Sequence, residues 1–246
     1  MKKITRIDFK SQIPNLITLA GLSFGLSSIR FSLDYNFEVS VICLLLASAC
    51  DALDGFFSRI LKSESELGAE LDSLSDFLSF AVAPCILIYM SLINQNEVIG
   101  SIALLLFVVF SCIRLAVFNL NKDNIENDSQ FFNGVPTPAG CGLLILPLVQ
   151  SFLGFDWASK NEILLSIYII FIGFLLISNL PTYSSKQIKI KLNRKNYLYF
   201  SLLFFLIYLS LINFLWIAIN IMGIIYLISI PIAIWLSLIH ISEPTR

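Results

Sequence analysis

Charge is what this sequence has least of. Only 13% of its 246 residues are Asp, Glu, Lys or Arg, against 57% hydrophobic, and the mean hydropathy is +0.83. That balance excludes a soluble globular domain. Histidine is nearly missing too: His240 stands alone near the C-terminus, which leaves neither a histidine-based triad nor a zinc cluster. The cysteines Cys43, Cys50, Cys85, Cys112 and Cys141 are scattered without metal-ligand spacing and read as packing residues. Internal repeats, low-complexity tracts and a Walker-type glycine-rich phosphate loop are all absent. The net charge of −1 gives no sign of a nucleic-acid partner, and none is expected.

Long apolar runs fill the chain instead. Stretches able to cross a bilayer run from Ile13 to Leu33, Phe37 to Leu53, Leu71 to Leu92, Val98 to Leu120, Pro138 to Phe155, Ile163 to Leu180, Tyr197 to Phe214 and Leu215 to Ile239. The expected fold is therefore an all-α, polytopic membrane bundle of about eight helices. The first six (13–180) would form the core, and the last two (197–239) an added hairpin turning near Asn213. Residues 1–239 read as one domain. The tail from His240 to Arg246 changes character abruptly and is set aside as candidate non-native sequence. The first apolar run is too long for a cleaved signal peptide and is expected to be retained. With both termini placed in the cytoplasm, the 16 Lys and Arg residues fall on that side except Arg30 and Lys160, as cytoplasmic loops prefer. The loop from Asn121 to Phe132 reads as a solvated connection on the same side.

Against this background a polar string stands out: Asp51, Asp54, Gly55, Ser58, Arg59, Gly68, Asp72 and Asp76. On a helix rising about 1.5 Å per residue, Asp51 and Asp54 lie roughly one turn apart, as do Asp72 and Asp76 on the next helix. The two pairs can face each other. Carboxylates so crowded repel unless cations sit among them, which asks for an oxygen-loving divalent metal such as Mg²⁺ or Mn²⁺. Their cost beside lipid points to function.

The pattern Asp51-x-x-Asp54-Gly55-x-x-Ser58-Arg59, eight further residues, then Gly68-x-x-x-Asp72-x-x-x-Asp76 resembles the signature of the CDP-alcohol phosphatidyltransferases. Ser58 is the one departure, standing where the family usually has alanine. The resemblance implies a CDP-linked lipid donor, a pair of divalent ions and an alcohol that displaces CMP. By position it implies Asp51, Asp54 and Asp72 as metal ligands, with Asp76 as a further ligand and the base on the incoming hydroxyl. Arg59 would contact the diphosphate, and Gly55, Ser58 and Gly68 would adjoin the CDP-lipid. It also implies a homodimer.

Other stretches speak to the acceptor. Ile13-Pro14-Asn15-Leu16-Ile17-Thr18 resembles the family's opening helix. The segments Arg114 to Asn119, Gly134 to Gly140 and Ser178 to Lys186 resemble the branch that uses L-serine with CDP-diacylglycerol, although Val117 stands where that branch often carries a second arginine. Asn15, Thr18, Arg114, Asn119, Pro136, Thr137 and Lys186 become acceptor or phosphate contacts on this reading. Simpler roles stand beside these: Pro136 and Pro138 as helix starters, Thr137 as a cap, Lys186 as part of a lipid-anchoring basic cluster. The setting would be a prokaryotic cytoplasmic membrane. Competing readings are another acceptor, glycerol 3-phosphate or inositol phosphate, and a divalent-cation transporter. A cation path, however, gains nothing from Arg59 among the aspartates.

Overall fold

A computed structural model describes residues 9–61, 65–93, 98–121, 131–178, 181–183 and 214–242. The architecture is helical: α1 (Phe9–Leu33), α2 (Phe37–Leu61), α3 (Glu66–Phe77), α4 (Ala83–Leu92), α5 (Val98–Asn121), α6 (Thr137–Phe152), a single turn α7 (Trp157–Lys160), α8 (Glu162–Ile177) and α9 (Leu215–Ser242). A π-helical turn, Leu78–Val82, joins α3 to α4 without a break. The five rods Gln12–Leu33, Phe37–Leu61, Glu66–Leu92, Val98–Leu120 and Leu215–Ile232 are long and apolar enough to cross a membrane, and α6 and α8 are shorter apolar helices. The expected span Tyr197–Phe214 lies outside the described residues, apart from Phe214.

Among the described residues, the departure from an all-helical reading is a pair of three-residue strands. β1 (Phe131–Asn133) and β2 (Pro181–Tyr183) pair antiparallel, with Phe132 opposite Thr182. Such short extended runs carry no period that a sequence scan can detect.

α1 and α2 form an antiparallel hairpin through a tight turn in which Tyr35 adopts φ 57°. Lipid tails are as apolar as leucine, so contacts between membrane helices depend on close packing and buried hydrogen bonds rather than on escape from water. The hairpin shows both. Gly21 lets α1 approach Cys50 and Ala47, and Gly25 lets it approach Ser79 in the π-helical turn. Near the turn the hydroxyls of Ser28 and Ser32 each lie 2.8 Å from that of Ser40. The tightest core is built by Leu87 and Ile88 of α4, Phe107 of α5, Leu144 of α6 and Ile169 of α8, all fully enclosed. Large apolar residues such as Leu16, Val98, Ile163 and Ile225 face outward, as a lipid-immersed surface requires.

Because successive helices alternate in direction, one end of the bundle collects the start of α1, the end of α2, the start of α3, the end of α5, the start of α6 and the end of α8. This is the end that carries the polar string. At the opposite end the Trp157 indole donates to Gln150, Gln150 donates to Asn220 of α9, and Trp216 stacks edge-on against Phe152.

Candidate active site

The aspartates lie where α2 and α3 meet. The expected span ended at Leu53, but α2 continues helically to Leu61, so Asp51 and Asp54 sit within a regular helix. α3 begins earlier than hydropathy indicates. Ser65 caps it, its hydroxyl accepting the Gly68 N–H at 3.0 Å. One carboxylate oxygen from each of Asp51, Asp72 and Asp76 lies within 4.8 Å of the others, and all three side chains are half-buried. Hard oxygen donors from two helices at that separation suit a Mg²⁺- or Mn²⁺-type ion.

Asp54 stands beside this trio. It is buried, 5% exposed, and accepts a 2.6 Å hydrogen bond from Thr18 of α1. The Thr18 hydroxyl also lies 3.1 Å from the Pro14 carbonyl, and Ser75 of α3 donates to the Thr18 carbonyl at 3.3 Å. One residue of α1 thus touches both helices that carry the aspartates.

Further along α2, Arg59 donates through Nε to the Gly55 carbonyl at 2.7 Å, and Ser58 donates to the same carbonyl at 3.2 Å. A Cβ on Gly55 would meet nothing within 4 Å, so open space lies beside the aspartates there. Gly68 differs: a Cβ would lie 2.8 Å from Asn15 Oδ1 and 3.0 Å from Ser65 Oγ. Room at Gly68 is taken by Asn15, which α1 lays against the start of α3.

The far wall comes from α5, α6 and the paired strands. Asn119 donates to Ser73 at 2.8 Å, joining the end of α5 to the residue after Asp72. Arg114 is half-buried, with its guanidinium 5.5 Å from the Phe118 ring centroid. Its Nε is enclosed and meets no hydrogen-bond acceptor among the described residues. Beside it the chain turns at Gly134, whose φ of +79° suits glycine and whose missing Cβ would press on the Ser178 and Leu176 carbonyls. Pro136 takes an extended conformation just before α6, and Thr137, 5% exposed, opens the helix. Lys186 lies outside the described residues, as do residues 122–130 of the loop expected between α5 and β1.

The two helices that bring these carboxylates together carry a D-x-x-D-G…R…G…D…D spacing, and the sequence around it matches a known family. A family model described as CDP-alcohol phosphatidyltransferase covers residues 11–177. The chain belongs to the CDP-alcohol phosphatidyltransferase family. Among its relatives is a "CDP-diacylglycerol–serine O-phosphatidyltransferase" of Mycobacterium leprae, 36% identical over 176 residues, or 69% of this chain and 57% of that protein. Proteins of the same name come from Helicobacter pylori (32% over 177 residues, covering 72% of this chain and 73% of the relative) and Bacillus subtilis (30% over 169 residues, covering 68% and 88%). The alignment thus spans less than two thirds of the mycobacterial protein's length.

Within this candidate site, the sequence reading overlooked three serines. Ser65 starts α3, Ser73 holds α5, and Ser75 holds α1. For Ser73 and Ser75 the available signal was their place between Asp72 and Asp76, and for Ser65 it was a serine just ahead of a helix start. A hydroxyl repeated between carboxylates marks a face that meets polar neighbours.

Proposed function

We propose that this protein transfers the phosphatidyl group of CDP-diacylglycerol to the hydroxyl of L-serine, forming phosphatidylserine and CMP. The observation that carries the reading is the convergence of Asp51, Asp72 and Asp76 within 4.8 Å at the junction of α2 and α3. The names of the relatives supply the acceptor.

In this mechanism Asp51, Asp54, Asp72 and Asp76 would hold divalent metal, Mg²⁺ or Mn²⁺ and in this reading two ions, which would neutralise the diphosphate. Thr18 fixes the Asp54 carboxylate. Gly55, Ser58, Arg59 and Gly68 border the CDP moiety, with Arg59 on the diphosphate. Asp76 accepts the serine hydroxyl proton as the serine oxygen attacks the lipid-side phosphorus in line. The bond to the bridging oxygen breaks and CMP departs with that oxygen. Asn15, Asn119, Pro136 and Thr137 are assigned to the acceptor or a phosphate, as is Lys186, which lies outside the described residues. Arg114, with Nε unpaired in the described structure, suits the serine carboxylate.

The membrane arrangement in this reading is eight spans with both termini cytoplasmic, one domain over 1–239, the site facing the cytoplasm of a prokaryotic cell, and a homodimer. The eighth span is supported by the ends of the described chain: β2 lies at the site end, whereas Leu215 starts α9 at the opposite end. The test is CMP release from CDP-diacylglycerol by the purified protein with Mg²⁺ or Mn²⁺, offering L-serine, glycerol 3-phosphate or inositol phosphate separately. Release with serine alone is expected. Release with a phosphate-bearing acceptor instead would keep the aspartate chemistry and discard the assignment of Arg114.

A further inference from the structure

Pro147 stands inside α6, where it has no N–H to offer the Leu143 carbonyl four residues back, and its ring crowds that same oxygen. Leu143 lies near the middle of the helix and is 2% exposed, and an unpaired backbone carbonyl within lipid is costly. A donor arrives from another helix. The Tyr168 hydroxyl of α8 donates to the Leu143 carbonyl at 2.7 Å. Tyr168 thus reaches the one carbonyl of α6 whose helical partner is a proline. We infer that Pro147 and Tyr168 are a compensating pair, and that Tyr168 is a positioning residue for the part of the site that α6 carries. The positioning role rests on the reaction proposed above; the pairing does not.

α6 is held differently on the two sides of this break. The half that leads to the site is fastened to α8 at three levels. Val135, just ahead of the helix, donates its N–H to the Leu175 carbonyl at 3.3 Å. Gly140 lacks a Cβ that would lie 2.6 Å from Leu176, so the two helices meet closely there. Tyr168 makes the third tie, about two turns along α8 from Leu175. The far half is fastened to other elements. The Gln150 side chain accepts from Trp157 of α7 at 2.6 Å and donates to Asn220 of α9 at 3.2 Å.

The missing bond lies between these two sets of ties. A proline there removes the ladder hydrogen bond that would transmit the direction of one half to the other. The direction of the first half therefore depends on its ties to α8, of which Tyr168 is the one nearest the break. Pro136 and Thr137, assigned to the acceptor or a phosphate, stand at the head of that half.

The test is a double-mutant cycle on the full-length protein in lipid nanodiscs. Tyr168→Phe keeps the ring that packs edge-on against Trp157 and removes the donor. In the parent protein it should lower the melting temperature by about 2–6 °C, as expected for one hydrogen bond between membrane helices. Pro147→Ala returns an N–H to α6, so in that background the same change should cost less than about 1 °C. Pro147→Leu supplies the same N–H with more bulk and repeats the comparison if the alanine variant does not fold. Equal losses with and without the proline would overturn the pairing.

Positioning is read apart from stability. Tyr168→Phe should raise the KM for L-serine by about tenfold while leaving that for CDP-diacylglycerol unchanged, a loss within the range a displaced positioning group causes. Adding Pro147→Ala should return the serine KM to that of Pro147→Ala alone. A serine KM unmoved by Tyr168→Phe, with the melting temperatures coupled as expected, would overturn the positioning role. Coupled melting temperatures with no CMP release by the parent protein for any acceptor would uphold the pair while removing the proposed reaction.

Discussion

Thr18 of α1 donates a 2.6 Å hydrogen bond to Asp54 of α2, and both residues are almost wholly enclosed. A charged acceptor held by one short bond is fixed in direction as well as stabilised, and hydrogen bonds to charged groups contribute about 1.5–3 kcal/mol. Thr18→Val keeps the shape and removes the donor. Activity should fall about tenfold or more, with a raised Mn²⁺ requirement, while Thr18→Ser should recover most of it. Equal metal titration curves for all three proteins would show that Thr18 does not orient Asp54.

Asp76 belongs to the half-buried trio and is assigned as the base. Asp76→Asn should lower CMP release by about 10²–10⁴-fold, the usual contribution of a positioned base. Thermal stability and CDP-lipid binding should persist. Undiminished release would remove Asp76 from the proton transfer.

Metal removal is expected to silence the protein reversibly. Chelation followed by Mn²⁺ should restore activity, and bound Mn²⁺ should be visible by electron paramagnetic resonance. Asp51→Asn and Asp72→Asn should each weaken that signal, because each replaces a charged carboxylate of the trio with a neutral amide. Full Mn²⁺ occupancy in both variants would place the ion elsewhere.

Gly134 offers a test of the wall opposite the aspartates. At φ +79°, an added Cβ would lie 2.6 Å from the Ser178 carbonyl and 2.9 Å from that of Leu176. Both neighbours are backbone and cannot swing aside. Gly134→Ala should cost about 1–3 kcal/mol through strain, seen as a lower melting temperature, and should disturb Arg114, whose Nε lies 3.7 Å from the same position. A melting curve identical to that of the parent protein would contradict this close approach.

Hydropathy located the membrane rods, since lipid-facing leucine and isoleucine produce a signal that needs no knowledge of packing. It failed at the helix ends bearing function. Asp54, Ser58 and Arg59 follow Leu53, and Glu66 and Glu70 precede Leu71, so the expected spans stopped at Leu53 and began at Leu71, whereas the helices run on to Leu61 and back to Glu66. Backbone helicity does not require an apolar side chain. The carboxylate trio was legible because its members are spaced by helical turns on adjacent elements. Asn15 against Gly68 and Thr18 against Asp54 were legible only as motif letters. Their pairing depends on how closely α1 approaches, which is set by Gly21 and Gly25 meeting residues more than twenty positions away. The β1–β2 pair unites segments about fifty residues apart and left no local trace.

The π-helical turn between Asp76 and Pro84 gives one continuous rod two angular phases. Ala83 donates its N–H five residues back, to Leu78, instead of four, and one residue on a regular helix is about 100° of rotation. The inserted residue therefore lets the upper half present Asp72 and Asp76 to α2 while the lower half turns Leu87 and Ile88 into the core. Removing one residue from Leu78–Val82 would restore a uniform winding and force a choice between the two alignments. The turn acts as an angular offset that permits a water-loving face and a close-packed face to be cut from the same helix, each aimed independently of the other.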